Sequence, residues 1–120
     1  MLVVMRTVLD LAAPAAPPPN RTTMYAIAFD LDTDALQERY PSPLAWRNGY
    51  RDVQRILEDE GFRWQQGSVY FGGADVDPVR CVLAAQRLVR ELPWFSDVAR
   101  DVRMLRIEEN NDLGPALAKR

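Results

Sequence analysis

Histidine is absent from the 120 residues, and with it go the commonest general base and the commonest metal ligand. Serine-histidine-aspartate hydrolysis and paired-histidine ribonuclease chemistry cannot be built within one such chain. A single cysteine, Cys81, permits neither an internal disulfide nor a thiolate zinc cluster. It lies in a helical pattern and reads as a small buried apolar residue, which suits a reduced, cytoplasmic protein. Lysine occurs once, as Lys119, so all but one of the fifteen basic residues are arginine. Codon bias explains that, although arginine is also the better bidentate partner for phosphate. No run approaches the ~18 apolar residues that a membrane-spanning helix needs, and Arg6 and Asp10 interrupt MLVVMRTVLDLAA as they would a poor signal-peptide core. An excess of one charge is missing too. With a formal net charge of -2 and no long run of either sign, nucleic acid would have to be bound through a local patch.

What is present suits one domain with a single modest core, at 48% hydrophobic content. Residues 13–23, APAAPPPNRTT, hold four of the nine prolines and read as an extended linker. The domain is expected to run over residues 24–120. Because Met24 stands directly before a strand, residues 1–23 read either as disordered or as a gene-start error, with translation beginning at Met24. From Met24 to Asp32 the residues are apolar on both parities, the pattern of a central strand covered on both faces. YPSP then turns the chain. Trp46, Tyr50, Val53, Ile56 and Leu57 recur at helical spacing between Leu44 and Glu60, and Gly61 ends the run.

FRWQ and SVYFG flank Gln66-Gly67 and predict an antiparallel hairpin. Asp77 reads as a helix cap with Pro78 at the first helical position. Val79, Val82, Leu83, Gln86, Val89 and Leu92 mark the expected face of a second helix, ended by Pro93. DVRMLRIEE, residues 101–109, predicts the last strand, and NNDLGPALAKR a polar turn and tail. The order strand, helix, strand, strand, helix, strand is the ferredoxin-like βαββαβ plan, an α+β fold with two helices on one face of a four-stranded antiparallel sheet.

The stretch FDLDTDAL puts Asp30, Asp32 and Asp34 two apart at the end of the first strand. It resembles the haloacid dehalogenase motif, in which one aspartate attacks a phosphoester and the next serves as acid and base. That superfamily requires a parallel sheet and a later lysine, whereas the next strands here form a hairpin and the only lysine is Lys119. The bland alternative is a polar strand end that caps the next segment. It suits Asp34, read as a turn residue. Asp30 shares its parity with Met24, Ala26 and Ala28 on an otherwise apolar strand, so it is the carboxylate expected to be partly buried and functional.

Taken together, MYAIAFDLDTDAL, RWQQGSVYFG, PWF and VRMLRIEENNDL resemble the virulence-associated protein D (VapD) family, from Met24 to about Leu117. The resemblance implies a fold like that of the small CRISPR-associated spacer-acquisition nuclease. It further implies endoribonuclease activity and often a small antitoxin partner in a toxin-antitoxin pair. The family's functional aspartate falls on Asp30 and its hairpin serine on Ser68. Asp32, two residues on in the same stretch, is a candidate catalytic helper from its spacing. A homodimer would bring two copies of Asp30 together. Such a pair could hold Mg²⁺ or Mn²⁺; alternatively one carboxylate acts as base without metal. Arg47, Arg51 and Arg55 form a stripe that is either solvated or RNA-facing. Trp46, Tyr50, Trp64 and Tyr70 suit core packing, with one or two available to stack on bases. Leu113 and Leu117 are candidate contacts to a dimer partner. The competing class is a non-catalytic RNA-binding or protein-interaction module of the same fold.

Overall fold

The computed structural model describes residues 23–118; the expectations for residues 1–22 lie outside the described residues. Strand β1, Met24–Leu31, is followed by a short helix α1, Thr33–Arg39, and a 3₁₀ turn at Pro43–Ala45. Helix α2, Asn48–Asp59, leads into the hairpin of β2, Phe62–Gln66, and β3, Val69–Gly72. Helix α3, Pro78–Glu91, a one-turn helix α4, Phe95–Val98, and strand β4, Ala99–Ile107, complete the domain. The sheet order is β2-β3-β1-β4 and every neighbouring pair is antiparallel. This is the expected ferredoxin-like arrangement, enlarged by α1 and α4.

Local chemistry accounts for the boundaries. Asp32 caps α1, its Oδ1 accepting from the amides of Asp34 at 3.0 Å and Ala35 at 3.2 Å. Asp34 therefore stands in the first turn of a helix rather than in a turn proper. Proline at positions 41 and 43 holds the chain in a turn, so α2 starts at Asn48 and not at Leu44. Gly61, at φ +96°, adopts the left-handed conformation that closes a helix without a Cβ clash. Asp77 Oδ1 accepts from the Arg80 amide at 2.8 Å, with Pro78 opening α3 as expected.

Ile27 and Leu31 of β1, Phe62 and Tyr70 of the hairpin, and Val53, Ile56 and Leu57 of α2 are buried together with Cys81, Ala84 and Leu88 of α3. Each fully buried leucine or isoleucine contributes about 2 kcal/mol. The buried face of α3 differs from the one the apolar spacing suggests: Val79, Val82, Leu83 and Val89 are exposed. The helix is apolar over most of its circumference, and Cys81, Ala84 and Leu88 are the positions it turns into the core. Arg80 and Arg87 then tie α3 to the end of α2 through Glu60, each at 2.9 Å.

The opposite face of the sheet carries Ala26 and Ala28 of β1 between Phe71 and Val69 of β3 and Leu105 and Arg103 of β4. No helix of the described residues covers it. The apolar β1 is thus covered on one face within a single chain, not on both. Beyond β4, Leu113 and Leu117 are exposed. No helix is long and apolar enough to cross a membrane among the described residues.

Candidate active site

Strand pairing gathers residues that are far apart in sequence at the C-terminal end of β1. Asp30 is exposed there rather than partly buried, because it alternates to the face of β1 opposite the buried Leu31. Across β3, the two-residue turn Gly67-Ser68 closes the hairpin, with Gly67 at φ +51°. The Ser68 carbonyl accepts from the Phe29 amide at 3.2 Å, which sets Ser68 one residue from Asp30. Trp64 secures the turn by donating its indole N–H to the Gly67 carbonyl at 2.8 Å. The backbone of Ser68 is therefore brought next to that of Asp30.

On the other side, Asp30 is the register partner of Arg100, and Leu31 of Ala99. Paired residues bring their Cβ atoms within about 5 Å. Arg100 donates from Nη2 to Asp32 Oδ2 in a close ion pair. Both Asp32 oxygens are engaged, one with the first amides of α1 and the other with Arg100. Its place in the structure is that of a cap and an arginine anchor, beside the catalytic position expected of it. Tyr50, in the first turn of α2, is also near: burial, and secondarily the negative charge of Asp30, raise its phenol above the ordinary value.

The other predicted residues are dispersed. Arg47 lies just before α2 with its guanidinium 4.5 Å from the centre of the Trp46 ring, Arg51 is exposed, and Arg55 pairs with Asp52 at 3.5 Å. Arg47 and Arg51 are both exposed and offer their charge to solvent. Tyr70 is buried in the core, and that burial pushes its phenol up to about 12, so it cannot stack on a base. Trp64 and Tyr50 remain accessible. Burial likewise raises the Cys81 thiol, as befits a packing residue.

Arg100 is the residue that sequence reasoning missed. Starting the last strand at residue 101 excluded it. In an antiparallel β1–β4 pair the first residues of β4 must face the last of β1, so the βαββαβ order itself carried the signal. Chemically, this end of the sheet offers an exposed carboxylate able to accept a proton and a guanidinium able to hold an anion. Among the described residues, no three acidic or cysteine side chains are gathered closely enough to hold a metal ion.

Comparison with known proteins agrees with the resemblance noted from the motifs. The pattern of the family described as CRISPR associated protein Cas2 matches residues 23–113. Endoribonuclease VapD 2 of Riemerella anatipestifer is 54% identical over 95 residues, which cover 79% of this chain and 100% of that protein. An Endoribonuclease VapD homolog of Helicobacter pylori is 48% identical over 94 residues, covering 78% and 96%. An Endoribonuclease VapD of the same organism is 35% identical over 89 residues, covering 74% and 93%. With its ferredoxin-like sheet and these similarities over nearly the whole domain, the chain belongs to the VapD proteins and to the Cas2 family whose pattern it carries.

Proposed function

We propose that the protein is an endoribonuclease that cleaves phosphodiester bonds of single-stranded RNA, with Asp30 as its central catalytic group. The observation that carries this reading is the exposed Asp30 carboxylate beside Ser68 and opposite Arg100. The endoribonuclease names of its relatives support it. In a chain without histidine, a carboxylate is the base left to take the proton of the ribose 2′-hydroxyl or of a water. With the 2′-hydroxyl as nucleophile, its oxygen bonds to phosphorus, the bond to the 5′-oxygen breaks, and that oxygen takes a proton from solvent. Ser68 assists by hydrogen bonding to phosphate, and Arg47 and Arg51 draw the strand in through its charge.

The working unit in this reading is a homodimer. The sheet face turned away from the helices, with Ala28, Phe71 and Leu105, would supply an apolar surface for a two-fold interface, and Leu113 and Leu117 would extend it. One carboxylate per chain is too few for an oxygen-ligand shell, so Mg²⁺ or Mn²⁺ would be held by Asp30 of both copies with phosphate and water. Bound there, the ion would polarise the phosphoryl oxygen.

A small antitoxin completes the picture as partner of a cytoplasmic toxin. The exposed apolar residues of α3 and a groove of about 150 Å³ lined by Val82, Ala85, Val102 and Met104 offer it a surface.

Asp30→Asn is the decisive variant. It should abolish RNA cleavage while leaving the melting temperature and the native mass unchanged, since Asp30 is exposed. Equal cleavage by both purified proteins would overturn the enzyme reading in favour of a non-catalytic RNA-binding or interaction module. A chelator arm in the same assay separates the two chemistries: cleavage that survives EDTA excludes the shared metal.

A further inference from the structure

The β1–β4 pairing contains an irregularity next to Asp30. Ala28 pairs with Arg103, but Asp30 pairs with Arg100, so two steps along β1 match three along β4. The extra residue is accommodated at Asp101, which takes a left-handed conformation at φ 51° although it is not glycine. Its carboxylate accepts from Arg103 Nε at 2.7 Å. Bulges of this kind re-aim the neighbouring side chain. Here the neighbour is Arg100, whose side chain is 67% exposed and reaches the Asp32 carboxylate just beyond the end of β1.

Two further facts give that placement a chemical sense. A base alone does nothing for the charge that grows on the phosphoryl oxygens during cleavage, which needs a fixed cation in the same place. Several other arginines are turned elsewhere: Arg39 pairs with Asp97 at 3.2 Å, Arg103 with Asp101 at 2.7 Å, and Arg80 and Arg87 with Glu60 at 2.9 Å each. Arg100 alone pairs in register with Asp30.

We propose that Arg100 binds the scissile phosphate at the Asp30 site, aimed there by the Asp101 bulge and held by Asp32 until RNA arrives. The step it serves rests on the endoribonuclease reading, whereas its contact with phosphate does not. Guanidinium geometry matters to the role, because its fork can grip two phosphoryl oxygens at once and lysine cannot. Asp32 is a positioning residue: one oxygen is fixed by the amides of α1, which leaves the other to orient the guanidinium.

The test uses the full chain as wild type, Arg100→Met, Arg100→Lys and, as a charge control at the far end of β4, Arg106→Met. Binding of a short single-stranded RNA is measured by fluorescence anisotropy over a salt series in an Asp30→Asn background, and cleavage kinetics in the parent background. Arg100→Met is expected to weaken binding several-fold and to lower the slope of log K against log salt by about 0.7, one phosphate contact to a single strand. It should also lower kcat about 100-fold, in the range seen for loss of one charge-stabilising donor. Arg100→Lys should restore the salt slope but not kcat, and Arg106→Met should leave kcat unchanged. Binding and salt slope unaltered in Arg100→Met would overturn the proposal, even where Asp30→Asn has confirmed the enzyme. A lowered slope in a protein that cleaves no RNA would uphold the phosphate contact and sink the endoribonuclease reading instead. A kcat in Arg106→Met that falls as far as in Arg100→Met would also overturn it, since the effect would then be one of net charge.

Discussion

Glu60 offers a quantitative test of how the two long helices are joined. Its Oε1 accepts from Arg80 and its Oε2 from Arg87, both at 2.9 Å, and its side chain is only 14% exposed. Arg87 first, then Arg80, holds the Glu60 carboxyl below its ordinary value of 4.5, against the opposing effect of burial. Hydrogen bonds to charged groups contribute about 1.5–3 kcal/mol where water is excluded, and exposed ion pairs under about 1 kcal/mol. With one arginine half exposed and the other mostly covered, Glu60→Gln should cost about 2 kcal/mol at pH 7. A domain of roughly 100 residues unfolds with an entropy near 0.2 kcal/mol per kelvin, so the melting temperature should fall by about 10 °C.

The pH dependence follows from linkage. The folded pKa is the lower one, so the contribution is complete above about 4.5 and is lost as pH falls through the depressed folded value. Glutamine mimics the protonated acid, hence the gap in stability between the two proteins should narrow progressively as pH falls below 4.5. Urea titrations of both at pH 7, 5, 4 and 3 measure the gap directly. A gap that stays constant down to pH 3, or one below about 0.5 kcal/mol at pH 7, would refute the argument.

Core packing and assembly supply two more tests. Leu88→Ala on the buried face of α3 should destabilise by about 3 kcal/mol, whereas Val82→Ala on the exposed face should change stability by less than about 0.5 kcal/mol; chemical denaturation that ranks them equally would contradict the burial described for α3. Leu105→Glu on the uncovered sheet face should leave the fold intact and convert the proposed dimer into a monomer by sedimentation. A dimer that persists in that variant would exclude this face as the interface.

Most of the architecture was legible because its signals are local. A continuous apolar run marks β1, aromatic and β-branched runs around Gln66-Gly67 mark the hairpin, Asp77-Pro78 starts α3 and Gly61 ends α2, and each of these acts within a few residues of itself. The face of α3 was not legible, since a helix apolar most of the way round does not say which side meets the sheet. Asp32 was read as a catalytic helper from its spacing, while its cap and its arginine partner needed the third dimension. The short helices α1 and α4 escaped periodicity because one or two turns hold too few apolar positions to establish a period.

By itself, then, the sequence determined the chemical inventory and the topology: no histidine, a carboxylate-bearing strand end, a hairpin serine and the βαββαβ order. Only the tertiary structure decided which charges meet. Arg100 lies 70 residues from Asp30 along the chain, and its approach depends on the β1–β4 register and on one extra residue at Asp101. Register is set by how side chains pack across strands rather than by the composition of either strand. That is why Asp30 could be singled out from its motif, while the arginine paired with it across the strands came into view only with the folded sheet.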